Sequence, residues 1–146
     1  MKTTEWGPSI WIFLHALIAK MNSNHYLRVK DELLYHVKQI CSVLPCPECT
    51  MHATQYLKLI KSIPTKELFS QMLFVFHNSV NFRTQKQVFK YADMSKYANL
   101  NVTLLYYNFV RVMSHRISNP KMMLESLNRS KIIKEFDTWM KKNYLL

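Results

Sequence analysis

Ile10 to Ala19 read I-W-I-F-L-H-A-L-I-A, an apolar run interrupted only by His15. A membrane-spanning helix needs about 20 such residues, and a secretory leader needs a small-residue cleavage site behind it. This run has neither. Ile10, Trp11, Phe13, Leu14, Leu17 and Ile18 wrap most of a helical circumference, and a helix apolar on nearly every side is buried on nearly every side. The stretch reads as a core helix that starts at Gly7-Pro8-Ser9, where a first-turn proline is tolerated, and ends near Met21.

The rest of the chain agrees with a helical fold. Gly7 is the only glycine among 146 residues, with five prolines. Dinucleotide-binding turns and P-loops each need several glycines, and tight hairpins draw on the same residue. Both classes are disfavoured, and the expected fold is all-α. Asn22-Ser23-Asn24 offers caps for a second helix, whose apolar positions are Leu33, Leu34, Val37, Ile40, Cys41 and Leu44; Pro45 ends it. A third helix opens at the C-x-x-C pair, with Cys49, Ala53, Tyr56, Leu57 and Ile60 on one face. A fourth is expected over 66–82, with Leu68, Met72, Val75, Phe76, Ser79 and Val80 inward. Residues 83–99 read as a polar loop with a short helical turn. A fifth helix is expected from Leu100 to Ile117. After an Asn119 cap and a first-turn Pro120, one or two more are expected around Leu124, Leu127, Ile132, Ile133, Phe136, Trp139 and Met140.

The net charge is +11. Residues 83–146 hold twelve Lys/Arg against four Asp/Glu, and residues 1–82 hold eight against five. Such a balance suits an anionic cofactor, nucleic acid or an acidic surface without selecting among them; solubility and a coding bias toward Lys explain it as well.

Leu44 to Ala53 read L-P-C-P-E-C-T-M-H-A. A cysteine pair at a helix start meets free amide groups and a dipole that favour a thiolate. Three readings compete. Zinc would need two more ligands, and Cys41 and His52 cannot easily join Cys46 and Cys49 around one ion from a helix end and a helix face. A static disulfide is the second. Redox exchange is the third, and it is preferred in a chain with three cysteines. Cys41, on the apolar face of the second helix, reads as core. Two further stretches carry polar groups into apolar helices: Trp11 and His15 four apart, and His77, Asn78 and Asn81 together. Buried polar groups need partners. Each histidine alone reads as a satisfied core residue; together they suggest an amphipathic aromatic ligand held among helices one, three and four.

W-G-P-x-x-W-x-x-L-H from Trp6, P-C-x-x-C from Pro45 and H-N-x-V-N-x-x-x-x-K from His77, in this order and spacing, resemble the Erv/ALR flavin-linked sulfhydryl oxidases over roughly Trp6 to Tyr97. L-P-C-P-x-C-x-x-H-A looks most like the short versions carried by large cytoplasmic DNA viruses. The resemblance implies a four-helix bundle cradling FAD, with additional C-terminal helices: an oxidase domain over 1–99 and, over 100–146, a helical extension packed on the bundle or on a second subunit. It implies that Cys49 is the flavin-proximal cysteine and Cys46 the substrate-facing one. It also implies that Trp11, His15, His77, Asn78, Asn81 and Lys86 line the FAD site, with His52 near it and Tyr91 or Tyr97 packing on the adenine. No metal is implied.

The implied reaction oxidises dithiols with oxygen and yields hydrogen peroxide. Cellular members carry a cysteine pair that clips the last helix, and many carry a shuttle C-x-x-C; this chain has no cysteine after Cys49. Dithiol substrates are therefore expected to reach Cys46 directly or through a separate small dithiol relay protein, with the enzyme a homodimer. Nucleic acid and membrane are not expected partners. The expected compartment is the cytoplasm, or a virion if viral, with the mitochondrial intermembrane space as the alternative. The rival class is a basic helical nucleic-acid binder, or a scaffold, with a structural cysteine pair; the buried H-N-x-V-N set argues against it.

Overall fold

The computed structural model describes residues 3–115 and 120–144, with the side chains of all but 3, 4 and 120–122. Six α-helices follow in order: α1 Thr3–Lys20, α2 Ser23–Cys41, α3 Pro47–Leu57, α4 Lys66–Arg83, α5 Val102–Met113 and α6 Pro120–Asn143. A 3₁₀ segment, Tyr91–Asn99, joins α4 to α5. There is no strand among the described residues. The fold is all-α.

Helix α1 runs through the middle. It touches α4, α5 and the 3₁₀ segment, and Phe13, Ala16, Leu17 and Ile18 are fully or almost fully buried. That is what an apolar circumference requires. The helix begins at Thr3, about a turn before the expected Gly7 start, and carries Pro8 within it. Its C-terminal carbonyls are closed from outside: the Lys66 ammonium donates to Ala19 O at 3.2 Å and Met21 O at 2.8 Å. Asn22 caps α2, its Oδ1 accepting from the Asn24 and His25 amides. Thr65 caps α4 through the Leu68 amide. These side chains satisfy donors that a helix start leaves without partners.

On α4 and α5 some of the expected inward residues are buried and others face out. On α4 the buried residues are Phe69, Leu73, Phe76 and Asn81, while Leu68 and Val75 are exposed. Nearly every turn of this helix carries apolar residues on two sides, so spacing alone leaves the inward direction open. On α5, Val102, Tyr106, Phe109, Val112 and Met113 are buried and Leu104 is exposed. Leu124 and Leu127 of α6 are exposed as well. Helix α5 stops at Met113; its expected end at Ile117 and the Asn119 cap lie outside the described residues.

Helices α5 and α6 share the core of α1 and α2. The Phe13 ring lies 4.7 Å from Phe109, 5.5 Å from Tyr106 and 6.1 Å from Phe136. Polar ties frame this cluster: the Trp139 indole donates to Glu32 Oε2 at 2.6 Å, and the Tyr106 hydroxyl to Asp137 Oδ1 at 2.6 Å. Among the described residues no helix is long and apolar enough to cross a membrane.

Candidate active site

Cys46 is the N-cap of α3, and Pro47 fills the first helical position. Proline suits that position because its missing N–H would lack a partner there anyway. The cap is made by sulfur: Cys46 Sγ accepts the Cys49 amide at 3.2 Å. Cys46 and Cys49 are joined in a disulfide, so the pair sits where free amides and the dipole would stabilise a thiolate after reduction. Both cysteines are half-buried.

Behind the pair lies a cavity of about 670 Å³, within the range of about 300–1,000 Å³ usual for cofactor and ligand sites. Cys49 is on its wall and Cys46 is not. Trp6, Ile10, Trp11, Leu14, Leu44 and Phe76 make it apolar, while Arg83, Lys86 and Lys96 bring three cations to it. Trp11 stacks on His77 at 4.3 Å and 5° between planes, with Phe76 edge-on at 5.0 Å. Tyr97 stacks on His15 at 4.6 Å. The two imidazoles hydrogen-bond to each other, His15 Nε2 to His77 Nδ1, at 3.1 Å. Burial, then His77 and Lys96, push the His15 pKa down to about 3; burial, then Lys86, push that of His77 down to about 4. Both rings are neutral at pH 7.

Among the expected cofactor residues, Trp11, His77, Asn81, Lys86 and Tyr97 line the cavity. His15 stands behind His77 and Tyr97, 2% exposed. Asn78 is used by the protein itself: its Nδ2 donates to Phe89 O at 2.9 Å and its Oδ1 accepts the Phe89 amide at 3.1 Å, pinning the loop after α4. Two expected residues are elsewhere. His52 pairs with Glu48 at 3.7 Å at the surface, and Tyr91 is exposed, edge-on to Phe74. Lys96 and Arg83 also line the cavity, though no motif in the sequence marks them. Lys96 lies 5.7 Å from the Tyr97 ring centre, in the irregular segment where no periodicity indicates direction. Cys41 is buried as expected, with its thiol pushed up to about 12 by burial, and it also reaches the cavity wall.

Lys86 is delivered by a tight corner. Gln85 has φ 59°, the Lys86 amide reaches back to Asn81 O at 2.8 Å, and the Gln85 amide reaches Phe82 O at 3.2 Å. These are the two bonds of a Schellman cap, with glutamine where glycine is usual.

A helical fold, a disulfide capping a helix, and an aromatic cavity with cations behind it define a class of protein in which thiol chemistry is joined to a bound anionic, aromatic group. The sequence profile of the Erv1/Alr family matches residues 8–99, and the chain belongs to that family. It is 36% identical over 89 residues to the 347L protein of Invertebrate iridescent virus 6, covering 56% of this chain and 80% of that protein. It is 31% identical over 90 residues to the FAD-linked sulfhydryl oxidase of African swine fever virus (Tick/Malawi isolate), covering 61% and 76%. A FAD-linked sulfhydryl oxidase of Arabidopsis thaliana is 30% identical over 89 residues, covering 58% and 45%. No solved structure matches.

Proposed function

We propose that the chain is an FAD-linked thiol oxidase that converts dithiols to disulfides. The observation that carries this reading is the division of the pair, with Cys49 on the cavity wall and Cys46 away from it. The cavity fits FAD by the chemistry of its walls. Trp11, His77 and Tyr97 offer flat faces for aromatic rings. Arg83, Lys86 and Lys96 offer charge to a pyrophosphate. The indole nitrogen of Trp6, a residue of the cavity wall, is buried without a partner, the condition in which a buried polar atom calls for one.

Cys46 meets the substrate. A substrate thiolate attacks its sulfur, the Cys46–Cys49 bond breaks, and Cys49 leaves as a thiolate facing the cavity. The second substrate thiol closes on the mixed disulfide and frees Cys46. Two electrons then rest on the Cys46–Cys49 dithiol. FAD, when bound, would supply the two-electron acceptor that links the dithiol to dioxygen and hydrogen peroxide. Trp11 and His77 would orient that group and Tyr97 would hold the adenine, while the neutral His15–His77 pair keeps its proton between the rings. His52 and Tyr91 are not on the cavity wall.

We further assign residues 1–99 to the oxidase unit and 100–146 to a helical extension, a division supported by the family match. The substrates are dithiol proteins, reached through a separate small dithiol protein, and the site of action is the cytoplasm. The chain acts as a homodimer through Leu68, Val75 and Phe82, an exposed stripe at seven-residue spacing along α4 with Phe82 81% exposed. Light scattering tests this: Phe82→Asp should halve the particle mass, and an unchanged mass rejects the stripe.

The central test is oxygen consumption with dithiothreitol by the FAD-loaded chain. Cys46→Ala and Cys49→Ala should each abolish turnover while FAD stays bound. Turnover surviving either change would refute the reading.

A further inference from the structure

Arg129 belongs to α6, outside the family match, yet it ends at the catalytic segment. Its side chain is 2% exposed. Nε donates to Val43 O at 2.6 Å and an Nη to Leu44 O at 3.4 Å. Thr50 Oγ1, one residue past Cys49, donates to the same Leu44 carbonyl at 3.3 Å. The stretch that leads into Pro45-Cys46 is therefore tied on one side to α6 and on the other to α3. A second cavity of about 220 Å³ lies at this junction, between Pro47 and Thr50 of α3 and Glu125 and Arg129 of α6. Leu44 is common to its wall and to that of the large cavity.

A buried guanidinium is costly unless its donors are used. Anchoring a surface loop would not need one. Burial pushes the Arg129 pKa down, and Glu125, one turn back on its own helix, pushes it up. The group stays charged at neutral pH, since arginine gives up its proton only at far higher pH. The carbonyl oxygens of Val43 and Leu44, in the peptides that lead toward the pair, are thus held against a fixed cation. Fixed positive charge near a dithiol favours its thiolate forms, and so favours reduction of the disulfide.

We propose that Arg129 is a positioning residue for the Cys46–Cys49 pair: it fixes the entry to Cys46 and biases the pair toward the reduced form. This rests on the reading of that pair as the redox centre. The C-terminal extension would then tune the reaction through one side chain.

The experiment equilibrates the FAD-loaded chain with glutathione under argon, so that no electrons drain to dioxygen, and the disulfide and two glutathione thiols exchange with the dithiol and one glutathione disulfide. Alkylation and mass measurement read the ratio, and dithiothreitol turnover is read in parallel. Arg129→Met should shift the equilibrium toward the disulfide by about tenfold, about 30 mV for a two-electron couple, with a lower kcat. Arg129→Lys keeps the charge but not the two-pronged grip. It should hold the equilibrium within about twofold of the parent while raising KM for the dithiol about fivefold. An equilibrium unmoved in Arg129→Met, with only thermal stability lost, overturns the proposal. If Arg129→Met does not fold, Arg129→Lys decides, because an unchanged KM there overturns it too. An inactive parent chain would instead sink the oxidase reading, and the glutathione equilibrium would still report on Arg129.

Discussion

At the scale of single residues, the two buried imidazoles make the chain sensitive to acid. His15 and His77 titrate near 3 and 4 when folded and near 6.5 when unfolded. Between those values the unfolded chain binds more protons, so stability is full above about pH 6.5 and drains as the pH falls toward 3. Thermal unfolding of the flavin-free chain from pH 7 to 4 should show a falling midpoint, and His77→Gln should flatten the slope. A parallel slope in the variant would place the effect elsewhere. Cys41 offers a second check. It touches the cavity wall, but its thiol is held protonated by burial, so Cys41→Ala should keep turnover within about threefold; its loss would give Cys41 a part in the chemistry. That Cys49, His77 and Asn81 meet at one cavity was legible in the sequence because C-x-x-C and H-N-x-V-N are compact. Which tyrosine faces the cavity was not. Tyr91 and Tyr97 both lie in a 3₁₀ segment, where a one-residue change of phase turns a side chain by about a third of a circle.

Among elements, caps could be read where short polar residues or proline stand at helix starts: Asn22 and Pro47 do what their chemistry suggests. The inward face of α4 could not. Phe69 and Leu73 compete with Leu68, Met72 and Val75 for burial, and only the neighbours α1 and α2 decide between them. The corner after α4 also escapes a reading that looks for glycine. A left-handed glutamine costs roughly 1–2 kcal/mol, part of which glycine would give back in unfolded-chain entropy. Gln85→Gly should therefore stabilise the chain by about 0.5–1 kcal/mol in urea denaturation, with FAD affinity kept. A destabilised variant would mean that the side chain of Gln85 contributes more than its backbone costs.

Over the whole molecule, the bundle and the C-terminal helices form one core. Phe136 is fully buried and meets Phe13, Tyr106, Phe109 and Trp139. Phe136→Ala should cost about 3–5 kcal/mol, measured by denaturant unfolding as a single transition. Two separate transitions would show that residues 100–146 melt independently of the rest. The apolar stripe of this region was plain in the sequence, but its partner was open between the bundle and another subunit, because periodicity records that a face is buried and not against what.

On the proposed reading, the placement of the two sulfurs gives the catalyst separate doors. A folded protein many times larger than the cofactor chamber can be served at the outer thiol without the helices parting to admit it. Selection of clients then depends on the contours around the entrance, and the chamber is left free to be shaped for the dye alone.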